Sequence, residues 1–344
     1  MAISTLLVGF GFSATTFHLP FLRHLEAFSL AGVVSSRPQD VKDSEPETPV
    51  FPTLEDALNA KQFDLVIITT PNHLHADQAR LALNNGCHVL VEKPFTLSVD
   101  DAQALVTLAK EKSKCLNVYQ NRRFDDDFLT ISALMASGVL GDVKRVVSRF
   151  DRFRPKPRDR WRENAGPGSG IFWDLGPHLI DQALQWFGMP QSVTATVLPL
   201  REGSESDDFF EVMLRYPTQV VQLGSSPFQA GQTLRFDVQG THGSFRSLGL
   251  DPQENQLREG LPLDDSRWAH RATAAWGELS LESGPEYAEL KPGNYLAFFR
   301  QLAQSIETDG EVPGPAEASS VVDVIRIIAL AQQSTEQQKT ISVE

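Results

Sequence analysis

An apolar run that ends in glycines constrains this chain more than anything else in it: residues 3–14, ISTLLVGFGFSA, carry Gly9-x-Gly11-x-x-Ala14. A buried strand that turns on glycine into a helix leaves unpaired backbone N–H groups at the positive end of the helix dipole, where a pyrophosphate fits. Gly9 permits the tight turn and Gly11 lets phosphates approach the backbone. The third position asks for a small residue at the helix–strand contact, which Ala14 satisfies, and Phe12 and Ser13 lie in the same turn. A glycine triplet also occurs in ordinary loops. Its place at the head of an alternating strand and helix pattern turns the reading toward a dinucleotide site.

At 344 residues the chain has room for two domains. Its 41% hydrophobic and 22% charged residues are those of an ordinary globular protein. The formal charge of −13 argues against nucleic-acid binding, which shows a basic footprint. No apolar run approaches the ~20 residues of a membrane span, and no signal-peptide pattern precedes the first strand, so a cytoplasmic protein is expected. Cys87 and Cys115 border apolar runs and read as buried free thiols.

The first 120 residues alternate strand-like runs (LLVGF, FSLAGVVS, FDLVIITT, HVLVEK, CLNVYQ) with helical stretches. One of these, 74–85, stops at Gly86, and another, 98–113, opens on the capping box Ser98-x-x-Asp101. This alternation predicts a parallel sheet with ligands at the strands' carboxyl ends. After Asn121 comes a helix from Asp125 to Ser137, closed by Gly138. Successive β-type runs follow (VKRVVSRF, SVTATVLPL, DFFEVMLRYP, QVVQLGSS, LRFDVQGTHGSFRS) and predict a largely antiparallel sheet, interrupted by one helix near 174–187. Residues 250–292 read as long surface loops, and helices near 294–308 and 317–333 close the chain. The expected fold is α/β, with a dinucleotide-binding domain over 1–121 and a second α/β domain over 122–344.

The strand ends supply the candidate chemistry. The second strand ends in Ser35-Ser36-Arg37, without the acidic residue that holds a ribose 2′-hydroxyl. Arg37 suits a 2′-phosphate instead, so NADP is the expected cofactor, with NAD the alternative. The third strand ends in Thr69-Thr70-Pro71-Asn72-His73-Leu74-His75, a loop facing the cofactor with Thr70, Pro71, Asn72 and His75; Asn72 also suits a helix cap. His73 and His75 have no cysteine or carboxylate cluster at ligand spacing, so no metal is expected. The fourth strand ends in Glu92-Lys93-Pro94, both charged residues being assigned to the cofactor side. A fixed ammonium there can donate to a substrate oxygen and stabilise developing alkoxide charge. A Glu–Lys surface pair is the plainer reading.

In GSGIFWDLGPHLID, residues 168–181, a helix starting near Asp174 would place Asp174, His178 and Asp181 on one face. Pro177 is tolerated early in a helix. Such an imidazole can serve as general base, although a capping Asp and a structural His explain the pattern as well. Residues 149–162, RFDRFRPKPRDRWR, set basic side chains among aromatics and read as a loop over a pocket, with Arg152 and Trp161 against a sugar, or as a solvated face.

Taken in order, GFGFSA, TTPNHLH, EKP, NRRF and GxxWDLGPHLID resemble the glucose–fructose oxidoreductase/inositol dehydrogenase (Gfo/Idh/MocA) family over essentially the whole chain. The stretch DRFRPKPRDRWRE and Ser35-Ser36-Arg37 resemble its NADP-dependent scyllo-inositol dehydrogenase-like branch. The resemblance implies a Rossmann domain, then an α/β domain whose large, mostly antiparallel open sheet mediates homodimers or homotetramers. It implies a cis peptide before Pro94, Lys93 as catalytic lysine, His178 as acid/base and Asp174 as its orienter and polyol contact. Asn121 and Arg122 would line the same pocket. Ala14 in place of the third glycine and Pro177 within the histidine motif depart from the commoner pattern without removing a reacting group. The expected activity is NADP-dependent oxidation of a secondary alcohol of an inositol-like cyclic polyol or a sugar. A non-catalytic NADP- and sugar-binding regulator is the competing class. A methyltransferase would leave Lys93 and His178 unexplained.

Overall fold

The computed structural model describes residues 2–159, 163–271 and 276–343, and the chain divides into two units. Met1–Asn121, Gln253–Trp268 and Asn294–Val322 form the first; Arg122–Pro252, Ala269–Gly293 and Asp323–Glu344 form the second.

The first unit is built on six parallel strands: β1 (Ile3–Val8), β2 (Phe28–Val34), β3 (Val50–Phe51), β4 (Leu65–Ile68), β5 (His88–Val91) and β6 (Leu116–Val118). Their order is β3-β2-β1-β4-β5-β6, so the winding reverses between β1 and β4, where open α/β sheets bind ligands. The central strands are apolar throughout: Leu6, Leu7, Val8, Leu65, Val66, Ile67, Ile68, Val89, Leu90 and Val91 are fully buried, as a sheet covered on both faces requires. The crossovers are helical, with α1 (Leu19–His24), α2 (Pro38–Ser44), α3 (Leu54–Ala60), α4 (His75–Asn84) and α5 (Val99–Glu111). Local signals start two of them: the Ser98 and Thr53 side chains accept the N–H groups of Asp101 and Asp56, each at 3.1 Å.

The second unit opens with α6 (Asp126–Ser137) and carries α7 (Ile171–Phe187) on a nine-stranded sheet. The strands are β7 (Val143–Arg149), β8 (Ser192–Leu198), β9 (Phe209–Arg215), β10 (Val220–Ser225), β11 (Leu234–Gly240), β12 (Gly243–Leu248), β13 (Trp276–Leu281), β14 (Gly284–Glu289) and β15 (Ile341–Ser342). They run in the order β14-β13-β12-β11-β7-β10-β9-β8-β15, antiparallel except where β7 meets β10. Along the register Val193, Leu214, Val221 and Val146 share one face, all buried. The opposite face carries Thr194, Met213, Gln222 and Asp237 at matching positions, with Met213 40% exposed.

Two sequence expectations need correction here. Residues 250–292 are not simply loops: they hold α8 (Gln253–Arg258) and the β13–β14 hairpin, whose exposed charges suit a sheet edge. Residues 253–268 and 294–322, expected in the second domain, pack with the first unit. Apolar contacts pull them there. Trp268 meets Phe21 at 6.3 Å, and Phe299 of α9 (Tyr295–Glu307) stacks on Phe21 at 4.7 Å. The last helix, α10, spans Val322–Gln337.

Candidate active site

The glycine turn has the geometry a pyrophosphate needs. Gly9 has φ +95°, and a Cβ there would sit 2.8 Å from Thr69 Oγ1. A Cβ on Gly11 would meet nothing within 4 Å, so the space over that backbone is open. The helix beyond it runs through a π-helical stretch, Ala14–His18, into α1. Ala14 is fully buried, consistent with the tight helix–strand contact asked of that position.

A buried network ties this turn to the end of β5. The Ser13 hydroxyl donates to Glu92 Oε1, which also lies 2.8 Å from His18 Nε2, while Glu92 Oε2 accepts the Lys93 N–H at 3.1 Å. Burial alone would raise the Glu92 carboxyl, but the His18 and Ser13 hydrogen bonds and the Lys93 charge outweigh it and hold it below its usual range. Glu92 therefore braces Lys93 against the dinucleotide turn, with its oxygens engaged by the protein itself. The Lys93–Pro94 peptide is cis.

His75, expected among the cofactor contacts, lies between two loops of the first unit. It is fully buried, with Nδ1 2.8 Å from the Pro94 carbonyl oxygen and Nε2 3.0 Å from that of Thr70. Desolvation lowers the imidazole's pKa, and the neutral ring has one N–H, which donates to one of these two carbonyls according to its tautomer. The Thr70 hydroxyl donates to Gln78 Oε1 at 2.6 Å, and Asn72 is buried. At the end of β2 the Ser35 hydroxyl accepts the Arg37 N–H at 3.0 Å. The Arg37 guanidinium donates to the Phe10 carbonyl at 3.0 Å and pairs with Asp40 at 3.0 Å. That ion pair is exposed and weak, which leaves the guanidinium usable by a ligand. Open space over Gly11 together with a guanidinium at the end of β2 fits a phosphorylated dinucleotide. Among the described residues no group of three or more His, Cys, Asp or Glu is placed to hold a metal.

In the second unit, α7 begins at Ile171 rather than near Asp174. A carboxylate from another segment causes this: Asp207 Oδ2 accepts the Phe172 N–H at 2.7 Å and the Asp207 carbonyl accepts that of Ile171 at 2.8 Å. Gly170, at φ +94°, has no room for a Cβ beside the Asp207 carboxyl. Asp174 therefore sits in the first turn rather than capping it, and Pro177 lies in the helix interior. Asp174, Arg152 and Asp207 line one cavity of this unit with Arg154, Arg158 and Arg201. His178 is buried on the same helix, one turn beyond Asp174.

Asp181 is an anchor. Arg123 grips it through Nε at 2.8 Å and Nη2 at 2.6 Å, and Gln182 Nε2 donates to the Arg122 carbonyl at 2.8 Å, so α7 holds the turn at 121–124. Arg122, expected at the substrate, is buried, pairs with Asp125 at 3.1 Å and lies over the Phe150 ring at 4.8 Å. Arg152 lies over the same ring at 4.9 Å. Asn121 is buried at the end of the first unit's opening segment. Trp161 lies outside the described residues.

Sequence reasoning missed two residues. Asp207 reads as part of a strand's acidic lead-in, and nothing local shows which helix it caps. Gln120 is 1% exposed, and neither its Nε2 nor its Oε1 has a hydrogen-bond partner among the described residues. It lies two residues past the end of β6, the neighbour of the strand that leads to Lys93.

The Asp207 carboxyl is pushed up to about 6, chiefly by burial. An acid raised in the folded state contributes stability below about pH 4 that is lost as pH rises through 6. Asp207→Asn keeps an acceptor for the Phe172 N–H and removes the charge. It should match the parent protein near pH 4 and exceed it by about 2–3 kcal/mol at pH 7.5 in urea unfolding. A gap that does not change with pH would refute this assignment.

Residues 3–120 match the family domain "Oxidoreductase family, NAD-binding Rossmann fold" and residues 133–343 its "C-terminal alpha/beta domain". The chain belongs to the Gfo/Idh/MocA oxidoreductase family. It is 40% identical over 339 residues to the uncharacterized oxidoreductase YdgJ of Escherichia coli, covering 97% of each chain. It is 37% identical to the scyllo-inositol 2-dehydrogenase (NADP(+)) IolW of Bacillus subtilis, covering 98% of this chain and 95% of that one. The solved structure of YvaA from Bacillus subtilis superposes with a TM-score of 0.95 at 34% identity, covering 100% of this chain and 99% of that one. The protein is thus an oxidoreductase with an NAD(P)-binding Rossmann domain, and no described helix is long and apolar enough to cross a membrane.

Proposed function

We propose that the protein is an NADP-dependent dehydrogenase that interconverts a secondary alcohol and a ketone on an inositol-like cyclic polyol or a sugar. The observation that carries this reading is the buried Ser13–Glu92–Lys93 brace, which fixes a lysine at a strand's carboxyl end against the dinucleotide turn. When bound, the nicotinamide supplies the hydride acceptor. Oxidation of an alcohol also removes a proton, and handling it falls to the chain. Lys93 donates a hydrogen bond to the substrate oxygen and stabilises its developing negative charge. His178 accepts the hydroxyl proton as general base, oriented by Asp174, which also contacts the polyol with Arg152. The similarity to IolW supports this substrate class. Assembly as a homodimer or homotetramer through the open sheet face, in the cytoplasm, belongs to the same reading.

The test is NADP and NAD reduction with scyllo-inositol, myo-inositol, D-glucose and D-xylose. Turnover is expected with at least one of them and with NADP favoured; binding without turnover across the panel would turn the reading toward a regulator. Arg37→Ala separates the cofactors. Loss of the guanidinium should lower kcat/KM for NADPH about tenfold or more, with NADH little affected, as expected for a charge-assisted phosphate contact. Equal losses with both would remove Arg37 from 2′-phosphate recognition.

A further inference from the structure

A further cation stands near the glycine turn, supplied from far along the chain. Arg258 ends α8, in the segment that returns to the first unit, and its guanidinium lies 5.9 Å from the ring centre of Phe12, within cation–π range. Phe12 directly follows Gly11 and is 53% exposed even with Phe17 set edge-on at 5.8 Å. Among the described residues no carboxylate pairs with Arg258, so its charge is uncommitted.

The segment that carries it is firmly held. Leu257, Leu263 and Trp268 are buried, Trp268 meets Phe21, and Gln253 Oε1 accepts the Tyr295 N–H at 2.8 Å. An exposed guanidinium on an anchored backbone, over a ring that carries no charge, is available to an anion that comes to that spot. The glycine turn next to it is built to receive one. The Thr15 N–H is the first to find an acceptor within the helix, the Gly11 carbonyl at 3.1 Å, which leaves the preceding N–H groups free of helical partners. The chain as a whole carries −13, so a pyrophosphate approaching it meets repulsion that the free N–H groups and nearby cations offset.

We propose that Arg258 is a cofactor-binding residue that places its guanidinium on the dinucleotide pyrophosphate, held ready over Phe12 until the anion arrives. This rests on the dinucleotide reading of the glycine turn. It differs from the role of Arg37 in a measurable way: the pyrophosphate is common to both nucleotides, whereas the 2′-phosphate belongs to NADPH alone.

The test is equilibrium binding of NADPH and of NADH to the full-length protein, followed by nucleotide fluorescence at several salt concentrations. Arg258→Ala should raise Kd about tenfold for both nucleotides alike and flatten the salt dependence, with Arg258→Lys recovering most of the loss. The residue is exposed, so Tm should not move, and an unchanged Tm separates lost contact from lost fold. Kd values within twofold of the parent for both nucleotides would overturn the assignment, and so would a loss confined to NADPH. If the parent protein bound neither nucleotide, the dinucleotide reading itself would fall, a result distinct from an unaffected variant.

Discussion

His178→Ala is expected to lower kcat by about 10²–10⁴-fold, the usual contribution of a positioned acid/base. The imidazole is buried on α7, whose first turn is held by Asp207, so the group removed is a fixed one. Nucleotide affinity should stay within a few-fold, because the loss concerns proton transfer rather than dinucleotide binding. The pH–rate profile is the sharper measurement: the parent should show a limb on its acid side where the base becomes protonated, and the variant should lack it. The same profile in both proteins would exclude His178 from the chemistry even if kcat fell.

The second large effect is expected from Lys93→Met, which keeps the length of the side chain and removes the ammonium. Loss of one fixed donor to a developing oxyanion costs about 10²–10³-fold in kcat. The backbone bond from the Lys93 N–H to Glu92 Oε2 does not depend on the side chain, so the brace to Ser13 and the NADPH affinity should survive. A kcat within tenfold of the parent, measured with saturating substrate and nucleotide, would assign polarisation of the substrate oxygen to another group.

What could be read from residues alone divides along a physical line. The glycine turn, the Ser98 capping box and the central apolar strands are local: each follows from conformational freedom, a side chain three residues away or an unbroken apolar run, and each occurs where expected. The strand-to-strand spacing of the first 120 residues was enough to predict the parallel sheet, because helical crossovers leave few other pairings. The β13–β14 hairpin was illegible because its edge position lets charged residues occupy a strand, which hides the hydrophobic alternation. Glu92 and His75 looked like ligands in the sequence because their strand-end positions are those of ligands. Only the packed structure shows Glu92 engaged by Ser13 and His18, and His75 set between the Pro94 and Thr70 carbonyls.

The order of chemistry-bearing motifs, the family and the two-part α/β plan were determined by the chain's sequence, since they rest on short-range pattern and spacing. The tertiary structure alone decided that α7 starts three residues early on a cap from Asp207, that Asp181 serves Arg123, and that residues 253–268 return to set Arg258 over Phe12. Each of these joins residues dozens to hundreds of positions apart. Burial of apolar surface brings such partners together, and no local preference of either one records the other.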